Sequence, residues 1–114
     1  MKTRILLAIV MAAGLSLPAM AHAFLTHATP GAGASVTAPR DISLSFSAKL
    51  DAAGSGADIT DASGHAVNVK AVVTDSNITV ALPSLAPGEY HVAWHALSMD
   101  SHHTEGGYDF TVQP

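Results

Sequence analysis

The feature that most constrains this chain is a period of two. After residue 22 no stretch sustains a helical period, and apolar and polar residues alternate instead. Ile42, Leu44 and Phe46 alternate with Ser43, Ser45 and Ser47, the pattern of a strand buried on one face. Ala57 and Ile59 begin a short strand that ends at the turn cluster Asp61-Ala62-Ser63-Gly64. Val67 and Val69 alternate with Asn68 and Lys70, and Asp75-Ser76-Asn77 is a turn before Ile78, Val80 and Leu82. Pro83 to Gly88 reads as a loop. Tyr90, Val92 and Trp94 then form one face of a strand, with His91, Ala93 and His95 on the other, and Tyr108, Phe110 and Val112 close the chain. Short strands with frequent turn signals predict an all-β fold, a seven-stranded antiparallel immunoglobulin-like sandwich with Greek-key connections. Tyr90 follows the Pro87-Gly88 turn, as in the tyrosine corner of such sandwiches. Trp94, in phase with Tyr90, is expected in the core.

The first residues follow another pattern. Met1-Lys2-Thr3-Arg4 is basic, Ile5 to Leu17 is an apolar run too short to cross a bilayer as a helix, and Pro18 breaks it. Ala19-Met20-Ala21 and Ala21-His22-Ala23 both fit a small-x-small cleavage site, so a cut after Ala21 or after Ala23 stays open. The chain is thus expected to divide into a secretory signal peptide, 1–21, and a domain, 22–114, in the periplasm and without membrane insertion after cleavage. The full chain has 5 basic and 9 acidic residues; without Lys2 and Arg4 the balance is 3 against 9, a net charge of −6. Such a chain repels phosphate backbones and anionic lipid, which argues against nucleic acid and suits a cation. It has no cysteine, so the small domain rests on its core alone, and Met99 is the only sulfur left after the leader.

Seven histidines are many for 114 residues. His22 and His27 lie near the expected start, His91, His95, His102 and His103 near the end, and His65 stands alone. Asp100-Ser101-His102 is the informative triplet, because residues two apart on extended backbone point the same way. Gly106-Gly107 reads as the close of that loop. An N-terminal histidine offers its α-amine and ring nitrogen together. A second imidazole and a carboxylate would complete an N₃O set, which suits Cu(II) better than Zn(II) or Cu(I). A loop aspartate beside a histidine is also a common turn-capping pair, so spacing leaves both readings open.

His22-Ala23-Phe24-Leu25, Thr29-Pro30, Phe46-Ser47, the run from Leu85 to His102 and Gly107-x-x-Phe110-x-Val112 together resemble the CopC family of periplasmic copper-resistance proteins, including its YobA-like members. The resemblance implies a β-sandwich monomer that binds one Cu(II) per chain and is not an enzyme. It implies His22, Asp100 and His102 as the metal ligands. It also implies a copper carrier or buffer, with a CopD-like inner-membrane copper transporter as partner. Two departures stand out: Ser101 lies where the family commonly has glycine, and Asp51 to Lys70 contains none of the methionines that form a Cu(I) loop in some members. The chain therefore looks like a Cu(II)-only member. Two other readings remain: a histidine-brace copper oxygenase, and an immunoglobulin-like interaction module without metal. Of the other histidines, His103, His65 and His91 are expected at the surface. His27 is expected to be a spectator, and His95 a candidate for supporting the site.

Overall fold

A computed structural model describes residues 22–114. The expected leader lies outside the described residues. The strands are β1 (Leu25–Thr29), β2 (Ser35–Thr37), β3 (Asp41–Phe46), β4 (Gly56–Asp61), β5 (Lys70–Thr74), β6 (Asn77–Ala81), β7 (Gly88–Leu97) and β8 (His103–Gln113). They form two four-stranded sheets, ordered β1-β3-β6-β5 and β2-β8-β7-β4. The sandwich is the one the alternation predicts. Ile42, Leu44 and Phe46 from β3, Ile78 and Val80 from β6, and Tyr90, Val92, Phe110 and Val112 from the facing sheet are all buried. Period two places each set on one face, and the only place for both faces is against each other.

Three details differ from the sequence reading. The strands number eight, not seven. The extra one, β2, pairs with β8 in parallel rather than antiparallel fashion. It is laid there by a Gly31–Ala34 turn, in which the Gly33 N–H donates to the Asp109 carbonyl at 2.8 Å. Three residues are too few to show a period, so β2 leaves no sequence signal. Second, the ladder around Val67 and Val69 starts only at Lys70. Both valines pack partly against the core, which explains their alternation, and the Val67 N–H donates to the Ile59 carbonyl of β4 at 2.9 Å, an isolated bridge rather than a ladder.

Third, Gly106 and Gly107 do not close a loop; they lie inside β8. Gly106 sits opposite Trp94, and a Cβ there would lie 2.6 Å from Trp94 Cζ2. At Gly107 it would lie 2.8 Å from the Val92 carbonyl oxygen and 2.9 Å from His91 Nε2. The glycines make room for the Trp94 and His91 rings, not for a bend. Trp94 is half-buried rather than fully in the core, and its ring meets Phe46 edge-on at 5.2 Å between centroids. The tyrosine corner is present: the Tyr90 hydroxyl donates to the Ala86 carbonyl at 2.7 Å, and its ring stacks on Phe110 at 5.8 Å.

Because β8 begins at His103, the β7–β8 connection is only the tight turn Ser98–His102. It sits at the same end of the sandwich as the start of the described chain.

Candidate metal centre

Two pieces of chain meet at this end. The first is the segment His22–Phe24 ahead of β1. Ser47, just past β3, clamps it three ways. Its backbone N–H donates to the Phe24 carbonyl at 2.8 Å, its Oγ accepts from the Phe24 N–H at 2.8 Å, and the same hydroxyl donates to the His22 carbonyl at 3.1 Å. From the other sheet, Thr104 Oγ1 donates to the Ala23 carbonyl at 2.7 Å. Ala23 is fully buried between these tethers. All four bonds use main-chain groups of residues 22–24, so they fix the backbone and leave the His22 ring to face the β7–β8 turn.

The second piece is that turn. The Ser98 N–H donates to the His102 carbonyl at 3.0 Å, and the Ser101 N–H donates to the Ser98 carbonyl at 2.9 Å. Ser98 is buried, with its hydroxyl against the Asp100 carboxylate and 3.1 Å from the His102 carbonyl; its one proton serves the carboxylate, the stronger acceptor. Asp100 also accepts from the His102 N–H at 3.3 Å and pairs with His102 Nδ1 at 3.1 Å. The Ser98 hydroxyl first, then the His102 imidazole, pull the Asp100 carboxyl from 3.8 down to about 2, against a partial desolvation that pushes it up. A depressed carboxylate contributes to folding above its unfolded value and loses that contribution as pH falls through the folded one. The turn therefore keeps this contribution down to about pH 4 and loses it only toward pH 2.

Ser101 adopts φ of +72°. That is the left-handed region, where a side chain crowds the backbone and glycine does not. The departure from the family's glycine therefore has a conformational cost. Ser101→Gly is expected to raise stability by about 0.5–1 kcal/mol, a rise in the thermal midpoint of about 2–8 °C for a domain this small. Thermal unfolding of both proteins by circular dichroism checks it.

Of the three expected ligands, the fold brings all to one end. The His22 and His102 ring centroids lie 4.5 Å apart. Two imidazoles at right angles about one ion, with bonds of about 2.0–2.1 Å, would show nearly that spacing. Asp100 reaches the pair through His102 Nδ1 and orients that ring, as carboxylates do for metal-bound histidines. Among the described residues, no three histidine, cysteine or acidic side chains already form a ligand set. A chain cut after Ala21 would add a nitrogen that side chains do not supply, the α-amine of His22. The donor chemistry fits a borderline divalent ion.

The other histidines lie elsewhere. His27 is exposed on β1 with Thr29 Oγ1 3.1 Å from Nε2, His65 is 3.7 Å from Asp61, and His91 pairs with Asp109 at 2.6 Å. His95 does not bond to any of the three expected ligands; it lies on the outer face of its sheet beside His103. Sequence reasoning missed the clamp residues Ser47 and Thr104 and the buried Ser98. Only Ser98 had a local signal, standing two residues before Asp100.

The comparisons with known proteins agree on one family. The CopC domain matches residues 25–113. Protein YobA of Escherichia coli strain K12 is 42% identical over 101 residues, covering 82% of this chain and 80% of its own length. Copper resistance protein C of Escherichia coli is 38% identical over 111 residues, covering 88% of each. Among solved structures, CopC from Methylosinus trichosporium OB3b superposes with a TM-score of 0.78 at 37% identity, over 82% of this chain and 95% of that one. PcoC, a methionine-rich copper resistance protein from Escherichia coli, gives 0.76 at 34% identity, over 82% and 100%.

Proposed function

This chain belongs to the CopC family, and on that premise we propose that it is a periplasmic Cu(II)-binding protein of copper resistance that holds one ion between its N-terminus and the β7–β8 turn. The observation that carries this reading is the 4.5 Å approach of the His22 and His102 rings, from segments 80 residues apart in the chain. His22 would give its α-amine and ring nitrogen, His102 its second imidazole and Asp100 its carboxylate. The reading requires export and a cut after Ala21, since a cut after Ala23 discards His22 with the leader. Ser47 and Thr104 support it by holding residues 22–24 in place, so that little backbone order has to be gained on binding. The acidic surface, net −6 after cleavage, raises the local concentration of a cation.

The function that follows is carrying or buffering copper without turnover, as a monomer, with delivery to a CopD-like inner-membrane transporter as its outlet. The absence of methionine from Asp51 to Lys70 supports Cu(II) as the form carried, because Cu(I) favours thioether and thiolate donors.

Competitive Cu(II) titration of the exported, processed protein tests this. One equivalent should bind tightly at neutral pH. Affinity should fall on acidification, as protons compete for the amine and imidazole nitrogens, while Asp100 remains ionised down to about pH 2. Failure to bind one equivalent more tightly than the competitor would overturn the proposal.

A further inference from the structure

At the end of the sandwich remote from the β7–β8 turn, a cleft of about 300 Å³ lies between the segment Ala38-Pro39-Arg40 and the loop from Leu82 to Leu85. Strand β3 runs from one end to the other. Ser47, just past its last residue, clamps the N-terminal segment, and Arg40 stands just before its first. Six strand residues at about 3.3 Å each therefore separate the cleft from the copper centre.

Register carries an arginine into this cleft. On β3, Ile42, Leu44 and Phe46 face the core, and Arg40 is in phase with them. Leu82 is likewise in phase with Ile78 and Val80 of β6. Its N–H donates to the Arg40 carbonyl at 3.0 Å, one step beyond the Asp41–Ala81 pair that ends the β3–β6 ladder. Both side chains leave the backbone on the core side, at the mouth of the sandwich, and Asp41 leaves on the other face. The walls are built in advance. Leu82 and Leu85 pack partly against the core, Pro39 and Pro83 are fixed in φ, and the Tyr90 hydroxyl holds the Ala86 carbonyl next to Leu85. Ala38 turns the chain out of β2 at φ +45°, a left-handed position that a side chain seldom takes. The ion pairs among the described residues all involve histidines, so the Arg40 guanidinium has no acidic partner there.

We propose that this cleft is a binding site for a small organic monocarboxylate with a short apolar tail. The carboxylate pairs with the Arg40 fork, whose planar geometry matches it with two parallel hydrogen bonds. The tail lies against Leu82, Leu85 and the two prolines. A cleft of this volume is at the small end of ligand cavities, which limits the tail to a few carbons. Charge selects the ligand as well. Arg40 is the only arginine among the described residues, on a chain whose acidic surface repels anions elsewhere, and a single guanidinium matches one negative charge better than a multiply charged phosphate. Rigid walls lose little freedom on binding, which favours a weak but specific site.

Titration of the processed protein with sodium valerate, followed by NMR, tests this. The Arg40 side-chain N–H and the Leu82 and Leu85 methyl resonances should shift together and saturate, with a dissociation constant below about 5 mM. They should do so equally in His22→Ala, so the outcome does not depend on the terminal site. Arg40→Gln should weaken binding at least about tenfold, because it removes a charge-assisted pair of hydrogen bonds, and Leu85→Ala by about threefold. Valeramide, the same tail without the charge, should bind at least about tenfold more weakly than valerate. The bond from Leu82 to Arg40 is main chain to main chain, so the core amide resonances of Arg40→Gln should stay in place. A dissociation constant above about 5 mM, valerate binding unchanged in Arg40→Gln, or valeramide binding as tightly as valerate would overturn the proposal.

Discussion

Protein whose His22 α-amine is acetylated should bind Cu(II) at least about 100-fold more weakly than protein that begins at His22 with a free amine. Acetylation leaves every side chain in place and converts the α-amine to an amide without supplying a new terminal amine that could anchor Cu(II). Partners that only orient metal ligands are worth about 10–100-fold in affinity, so loss of a ligand itself should reach or exceed the upper end. His22→Ala should fall at least as far, because it keeps the amine and loses the ring. The fold is not at stake in either protein. The bonds from Ser47 and Thr104 take only the carbonyls of residues 22–24 and the Phe24 N–H, and none uses the His22 amine or ring. The metal-free thermal midpoints should therefore agree within the small change expected of surface substitutions, about 0.5 kcal/mol. Equal Cu(II) affinity with the amine free and acetylated would remove the terminus from the site.

The second large effect is on stability. Phe110→Ala should destabilise the domain by about 3–5 kcal/mol, because it removes a large ring from a fully packed position. Phe110 is 1% exposed, lies in β8 directly opposite Tyr90, and stacks on that ring. Tyr90 is itself pinned by its hydroxyl to Ala86, so it cannot move in to fill the space. A domain of this size has about 5–14 kcal/mol in total, and with no cysteine in the chain no disulfide offsets the loss. The thermal midpoint should fall by at least about 12 °C, as read by calorimetry. Saturating Cu(II) should recover part of it, at most about 2.7 kcal/mol at one hundred times the dissociation constant, because the terminal His22 also binds the ion in the unfolded chain. A fall of only a few degrees would mean that Phe110 is not the closely packed core residue its burial and its contact with Tyr90 indicate.

Much of the fold was legible because burial follows the side-chain period. Ile42, Leu44 and Phe46, Ile78 and Val80, and Tyr90 and Val92 each face inward as their alternation requires. What was not legible depends on which strand lies alongside. β2 is held by a turn and by β8, the β5 ladder by β6, and Gly106 and Gly107 by rings on a strand about a dozen residues away. Local pattern records which face is buried, but not the neighbour across the ladder.

The candidate site divides in the same way. Asp100 and His102 were visible two apart, and His22 at a cleavage pattern. Their approach depends on β8 starting immediately after the turn and on Ser47 and Thr104 gripping the first residues. Neither serine nor threonine announces such a role from sequence, since each acts on main chain more than 20 positions away. Ser101 is the local exception: a side chain at a left-handed position, anticipated from the family's glycine.

The most direct test is the electron paramagnetic resonance spectrum of one equivalent of Cu(II) on protein beginning at His22, compared with the Asp100→Ala/His102→Ala double variant. The wild type should show a tetragonal signal with several coupled nitrogens, and the variant a changed signal that has lost the His102 nitrogen. An identical spectrum in the two proteins would put the copper elsewhere and contradict a centre built from the N-terminus and the β7–β8 turn.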